Sequence, residues 1–473
     1  MMNPLSGKSF ILRVEMDKVG MKFAEMATAI SELGGDIVAI DVISTYQTTT
    51  IRDITVTTVK TNIIDLIVNE LEKMEGLKIV NVSDRTFLLH LGGKIEIKSK
   101  NAIQNRDDLS RVYTPEVSRV CMAIQNDPQK AYSLTIKRNT VAVVTDSSAV
   151  LGLGKIHPHA SMPVMEGKAM LFKELADVDA FPVSLSTNDT EKIIETIKHI
   201  APTFGGINLE DIASPRCFEI EERLKQELDI PVFHDDQHGT AVVLYAALIN
   251  ALKTVNKKLS DVKVVICGIG AAGVACSKML MAGGVKEIIG VDREGALVKS
   301  KTYDQPVWNW YAQHSNPNEN EGSLSEVLKG ADVFIGVSTA NILKREDIER
   351  MATDPIVFAM ANPVPEIMPE EIEDIAAVIA TGRSDFPNQI NNVLCFPGIF
   401  RAALDCRAST INEEMKLAAA EAIAGVISEE EVSKHYIIPS VFNKKVVKSI
   451  RLKVIQAAID TGVARRIPRD FRS

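Results

Sequence analysis

The residues with most chemical promise are two adjacent acids set between two histidines, His234-Asp235-Asp236-Gln237-His238. They separate an apolar strand-like run, Ile230 to Phe233, from a long helix-like run, Ala241 to Leu252, with Gly239-Thr240 supplying a turn and an N-cap. A strand that ends in carboxylates just before a helix is where α/β sheets place their ligands. A second acidic pair, Glu210-Asp211, lies upstream in Gly205-Gly206-Ile207-Asn208-Leu209-Glu210-Asp211. Hard oxygen donors gathered on two loops suit Mg²⁺ or Mn²⁺, which keep positions open for water and substrate. Solvated loop acids are the alternative, and the apolar flanks argue against it.

Two single residues could move protons. Lys168 sits in a helix-like run with apolar Ala169 to Phe172 beside it, and a desolvated lysine can be drawn toward neutral pH and act as a base. Alone, such a lysine is more often a solvated one. Tyr113 alone is more often a packed, hydrogen-bonded ring.

These groups must be held by strands and turns, and the clearest of these is Val262-Lys263-Val264-Val265-Ile266-Cys267-Gly268-Ile269-Gly270-Ala271-Ala272-Gly273. An apolar strand runs into GxGxxG and then a helix, the context that a dinucleotide-binding reading requires. Gly268, Gly270 and Gly273 allow a tight turn and close approach to a pyrophosphate, which rests on the helix N-terminus at Ala271 and Ala272. A second strand ends at Asp292, placed to accept from the adenine ribose hydroxyls and to repel a ribose phosphate, which favours NAD over NADP. Arg293 follows and could pair with a phosphate, but successive strand side chains alternate sides. Val333 to Ser338 and Ile356 to Pro363 read as further parallel strands ending in polar loops.

The chain of 473 residues predicts about three domains. Hydrophobic residues at 46% and charged residues at 24% describe ordinary globular protein. A net charge of -9 without a Lys/Arg block argues against a nucleic-acid surface. Six cysteines, none in a CxxC pair, fit reduced buried thiols in the cytoplasm. Met1-Met2-Asn3-Pro4 does not begin a signal peptide, and no apolar run nears the ~20 residues of a membrane span.

Residues 1–92 read as a unit of their own. Phe10, Leu12, Val14 and Met16 alternate as in a half-buried strand; Phe23, Met26, Ala27, Ile30 and Leu33 follow helical spacing up to Gly34-Gly35. Ile37 to Ile43 and Thr48 to Val59 read as strands, Ile63 to Met74 as a helix, and Leu77 to Val82 and Phe87 to Leu91 as strand again. This βαββαβ order is ferredoxin-like. It resembles an ACT domain, including Asp17-Lys18-Val19-Gly20 at the first strand–helix turn, where that family more often has a proline before the glycine. The resemblance implies a small-molecule effector; a dimerisation module without a ligand is the alternative.

The polar stretch Lys98 to Arg111 reads as a connector. Beyond it Tyr113-Thr114-Pro115, Leu151-Gly152-Leu153-Gly154, Glu166-Gly167-Lys168, Glu210-Asp211, Asp235 to Thr240, Ala361-Asn362-Pro363 and Asn391-Asn392-Val393 through Phe396-Pro397-Gly398 occur in an order that resembles the malic enzymes over roughly residues 100 to 410. The resemblance implies an α/β architecture of three parts: an ACT-like regulatory domain (1–92), a substrate and metal domain (93–253), and a Rossmann-type NAD-binding domain with C-terminal helices (254–473). It implies Glu210, Asp211 and Asp236 as metal ligands with Asp235 beside them, Lys168 as general base and Tyr113 as general acid. Asn362, Asn391 and Asn392 would contact the substrate carboxylate or the nicotinamide side. The implied reaction is the NAD-dependent oxidation of malate to pyruvate and CO₂ in a cytoplasmic homodimer or higher homo-oligomer. A malolactic enzyme that releases lactate is a second reading, and a catalytically silent metabolite sensor a third. Larger malic enzymes carry an arginine where Ala149-Val150 stand here, and Lys155-Ile156-His157-Pro158-His159 replaces a turn usually rich in glycine.

Overall fold

Strand-forming residues fall into three groups along the chain, and each group closes into its own sheet. The computed structural model describes residues 8–18, 23–58, 63–150 and 152–471 and contains two compact units, Met1–Glu96 and Ile97–Ser473. Val19, Gly20 and Leu151 of the motifs above lie outside the described residues.

In the first unit β1 (Lys8–Asp17), β2 (Asp36–Thr45), β3 (Thr49–Thr58) and β4 (Leu77–Asp84) form an antiparallel sheet in the order β2-β3-β1-β4. Phe10, Leu12, Val14 and Met16 of β1 are buried with Met26 and Ile30 of the helix Phe23–Glu32 and Ile63, Ile67 and Leu71 of the helix Ile63–Leu71. The βαββαβ reading describes this unit, with one correction. Phe87 to Leu91 do not return as strand: Arg85–His90 is a short helix, because the Asp84 side chain accepts the Thr86 N–H at 2.7 Å and caps it.

The second unit holds two parallel sheets. β5 (Thr140–Thr145), β6 (Asp179–Ser184), β7 (Gly206–Leu209) and β8 (Val232–His234) run in the order β6-β5-β7-β8. β9 (Lys263–Cys267), β10 (Glu287–Asp292), β11 (Gly295–Ala296), β12 (Val333–Gly336), β13 (Ile356–Ala359) and β14 (Val378–Thr381) run in the order β11-β10-β9-β12-β13-β14, parallel except for β11. Every residue of β5, β7, β12 and β13 is buried, which explains their unbroken Val/Ile/Phe runs: a sheet covered on both faces has no polar side.

The helix Thr240–Thr254 is buried nearly all round. It shares one apolar core with Val141 and Phe233 of the first sheet, Val264 and Ile266 of the second, and the helices Phe396–Asp405, Glu413–Ala424 and Lys445–Asp460. That packing places the carboxyl ends of β7 and β8 beside the glycine helix of the second sheet: the segment Asp235–Gly239 touches Ala271–Ala282.

Candidate active site

Strand ends place the acids. Glu210 and Asp211 follow β7, and Asp235 and Asp236 follow β8 in a single π-helical turn, Asp235–Gly239, that runs straight into the helix Thr240–Thr254. Thr240 is therefore the first helical residue and makes no side-chain cap, contrary to the sequence expectation. Gly239 is needed here for space, since a Cβ on it would lie 1.9 Å from Asp235 Oδ1.

Carboxylate oxygens of Glu210, Asp211 and Asp236 lie within 4.8 Å of one another. Asp211 N–H donates to Asp236 Oδ2 at 2.8 Å and Asn208 Nδ2 to Glu210 Oε2 at 2.8 Å, which fixes two of the three. Asp211 Oδ2 and Asp235 Oδ1 are buried with no hydrogen-bond partner among the described residues. Burial, and then the neighbouring Asp236, push the Asp211 carboxyl up to about 9; burial also lifts Glu210, and it takes Asp235 up to about 8 despite Lys168. Crowded, buried, partly unpaired carboxylates are a set of oxygens that a hard divalent cation fits.

Lys168 projects from the helix Pro158–Ala176 into this cluster and is buried. Its Nζ donates to Glu210 Oε1 at 3.0 Å and pairs with Asp235, and it lies 4.0 Å from the centre of the Phe396 ring. Burial pulls its pKa down, but Asp235 and Glu210 together outweigh that and hold it above the ordinary lysine value. The sequence expectation that apolar neighbours draw Lys168 toward neutrality is thus reversed in the metal-free cluster. Neutralising the acids leaves burial as the dominant influence, and that favours the neutral amine.

Tyr113 is not brought to this cluster. Its ring is 71% exposed at the end of the helix Arg106–Val112, with no side-chain hydrogen bond or ring contact among the described residues. The turn Asn392–Leu394 packs against Asp235–Gly239, with Asn392 Cβ 3.2 Å from where a Cβ on Gly239 would lie, while the Asn391 side chain caps that turn by accepting from Val393 N–H. Asn362 follows β13, and Pro363 beside it faces the Gly152 turn across 4.0 Å from where a Cβ on Gly152 would lie.

Three buried residues escaped the sequence reading. Glu221, on the helix Arg216–Glu227, accepts from His234 N–H at 3.0 Å and pairs with His238 Nε2 at 2.8 Å. Lys416 Nζ lies 3.2 Å from His238 Nδ1. An ammonium can only donate, so Nδ1 accepts and Nε2–H donates to Glu221, fixing a neutral imidazole; burial, the main cause, takes its pKa down to about 4. Glu366 accepts from Ser338 N–H at 3.1 Å and Ala361 N–H at 3.0 Å, tying together the loops after β12 and β13.

The glycine turn leaves β9 at Gly268, whose φ is +99°, and a Cβ on Gly273 would lie 2.0 Å from Gly268 O. A Cβ on Gly270 would meet nothing within 4 Å, the open cradle that an approaching pyrophosphate needs. Ala271 and Ala272 open the helix there. Ile269 is clamped from both sides: its N–H donates to Asp292 Oδ2 at 2.8 Å and its carbonyl accepts from Trp308 Nε1 at 2.8 Å. Arg293 Nε is 3.9 Å from Asp292 Oδ1, with its side chain in solvent.

A buried lysine–carboxylate cluster abutting a Rossmann-type glycine helix defines a nucleotide-binding protein whose second unit holds two parallel sheets with acids gathered at the strand ends. The chain belongs to the malic enzyme family: the family model for the malic enzyme N-terminal domain matches residues 92–225, and that for the malic enzyme NAD binding domain matches residues 237–459. It is 67% identical to an NAD-dependent malic enzyme of Geobacillus stearothermophilus, over 96% of this chain and 95% of that one. It is 56% identical to a bifunctional malic/malolactic enzyme of Bacillus subtilis, over 79% of this chain and 92% of that one. The crystal structure of a malic enzyme from Pyrococcus horikoshii superposes with a TM-score of 0.77 at 49% identity, over 79% of this chain and 89% of that one.

Proposed function

We propose that this chain oxidises malate to pyruvate and CO₂ with reduction of NAD, using Mg²⁺ or Mn²⁺ at Glu210, Asp211 and Asp236. The observation that carries the reading is the buried contact of Lys168 with Glu210 and Asp235 beside the glycine helix. When bound, the cation supplies Lewis-acid polarisation of the substrate oxygens and NAD the hydride acceptor. Lys168 takes the hydroxyl proton, and Asp235 holds its Nζ in place. Asn362, Asn391 and Asn392 orient the carboxylate and the nicotinamide side. Tyr113 as proton donor to the enolpyruvate carbon rests on the family resemblance alone. The division at 1–92, 93–253 and 254–473 is part of this proposal; the family-model matches at residues 92–225 and 237–459 agree with a boundary near residue 92 and put residues 237–253 with the NAD-binding part.

Pyruvate and NADH formed one for one from malate with Mn²⁺ test the reading; no NADH overturns it. Lactate formed with substoichiometric NAD would instead support a malolactic outcome, a reading favoured by the bifunctional relative. We place the enzyme in the cytoplasm as a homodimer: five of the six cysteines are buried, all six are free, and Leu109, Val112 and Met122 lie exposed on neighbouring helices. Among the described residues no helix is long and apolar enough to cross a membrane. The first unit would bind a small effector or serve the pairing of subunits.

Asp292 is proposed to set cofactor choice. Asp292→Ser is expected to reduce the preference for NAD over NADP by about tenfold, since one charge–phosphate repulsion at this partly buried carboxylate, 15% exposed, is worth at least on the order of 1 kcal/mol. Catalytic efficiencies with both cofactors measure this, and an unmoved ratio removes Asp292 as the cause.

A further inference from the structure

The amino ends of the first sheet carry a feature that the reaction does not use. A cavity of about 230 Å³ is lined by six arginines, Arg138, Arg401, Arg407, Arg451, Arg466 and Arg469, against two aspartates, Asp405 and Asp470. The two acids are already engaged: Asp405 by Arg401 and Arg451, at 2.7 and 2.5 Å, and Asp470 by Arg451 at 2.6 Å. Arg138, Arg407, Arg466 and Arg469 have no carboxylate partner among the described residues; Arg407 donates instead to Ser133 Oγ at 3.3 Å and lies 5.0 Å from the centre of the Tyr132 ring. Burial and then the approach of Arg466 lower the pKa of Arg407, the mark of like charges held together. In a chain of net charge -9, four unneutralised guanidiniums around one small hollow are a local inversion of sign.

The hollow is separate from the candidate active site. Arg138 lies just before β5 begins, and Arg401 lies on the helix Phe396–Asp405 five residues beyond Phe396, whose ring faces Lys168. The acid cluster follows the opposite, carboxyl ends of β7 and β8. A second cavity of about 630 Å³ shares Arg138, Arg401 and Asp405 and adds the hydroxyls of Ser133 and Thr135, Lys100, and the carboxylates of Asp177 and Asp179, so it suits the uncharged body of a ligand rather than a further phosphate.

We propose that this arginine hollow binds a compact, multiply charged phosphate anion, inorganic or carried on a small organic body extending into the neighbouring cavity. Guanidinium forks pair with phosphate and carboxylate alike, but four of them around 230 Å³ call for three or four negative charges in little volume. Phosphates concentrate charge in that way, and polycarboxylates spread it over a carbon frame.

The test is calorimetric titration of the full chain with inorganic pyrophosphate. Divalent metal is left out because pyrophosphate chelates it, and NAD is saturating so that the glycine turn's own phosphate cradle is filled. Binding at one site per chain is expected, weakened at least about tenfold by Arg138→Ala combined with Arg466→Ala, because each variant removes a charged hydrogen-bond donor. Both side chains are exposed and have no partner among the described residues, so the variant should keep malate turnover; Arg469→Ala is the second variant should that pair fail to fold. A sugar bisphosphate binding more tightly than pyrophosphate identifies an organic phosphate, and one binding more weakly an inorganic one. The proposal is overturned by heat no greater than that of KCl at matched ionic strength, by unchanged binding in the variants, or by citrate binding as tightly as pyrophosphate.

Discussion

Lys168→Ala is expected to lower malate turnover by about 10²- to 10⁴-fold, the range that a positioned general base contributes. Metal binding should respond differently. Lys168 Nζ stands 3.0 Å from Glu210 Oε1 and is paired with Asp235, so removing it deletes a positive charge beside the cation ligands. Mn²⁺ affinity should therefore hold or tighten while turnover collapses. A residue that served only the fold would move both together, through lost packing on Phe396. Steady-state rates and a Mn²⁺ titration on the same preparation read the two effects. Near-normal turnover would withdraw the base assignment, and Tyr113→Phe in the same assay decides whether the exposed ring acts as the acid.

Asp236→Asn should weaken Mn²⁺ binding by more than the roughly 10–100-fold that losing an outer-shell partner costs, because it removes a ligand charge. The side-chain oxygen can still accept the Asp211 N–H, so the turn itself should persist. Without metal the sign reverses. Burial and Asp236 hold the Asp211 carboxyl up to about 9, far above the ordinary carboxylate range, and burial holds Asp235 up to about 8. The unfolded chain therefore binds fewer protons than the folded one between about pH 4 and pH 9, and metal-free stability falls as pH rises through that window. Mn²⁺ takes the place of those protons, so its stabilising effect should grow from pH 6 to pH 8. Asp236→Asn relieves the repulsion and should raise the metal-free Tm at pH 8 while Mn²⁺ raises it less than in the parent. Unchanged Mn²⁺ dependence would move the site elsewhere.

What the sequence disclosed follows from how local each signal is. The glycine turn and Asp292 lie within one strand–helix–strand unit, so their spacing alone suffices, and Ile269 bridges them directly. The acid pairs were legible because each ends a short apolar strand. Glu221, Lys416 and Glu366 were not: each lies in an ordinary charged or polar stretch, and the partner that draws it toward the site comes from another element, as Lys416 reaching His238 shows. The charge of Lys168 also lay beyond the sequence, since its apolar neighbours were visible and its three-dimensional acid partners were not. The apolar run Phe87 to Leu91 suits a strand as well as a helix, and the capping oxygen of Asp84 just before it decides for the helix.

The two charged sites give the second unit an electrical axis. Acids gather where β7 and β8 end, and unpaired guanidiniums gather around the start of β5, at the opposite ends of one parallel sheet. The backbone does not create this moment, because strands carry little net dipole; side chains do. At low ionic strength, where fields extend about 30 Å, this unit would turn its arginine end toward an anionic surface despite the chain's negative total. Retention on a phosphate-bearing exchanger would then track this orientation rather than the isoelectric point.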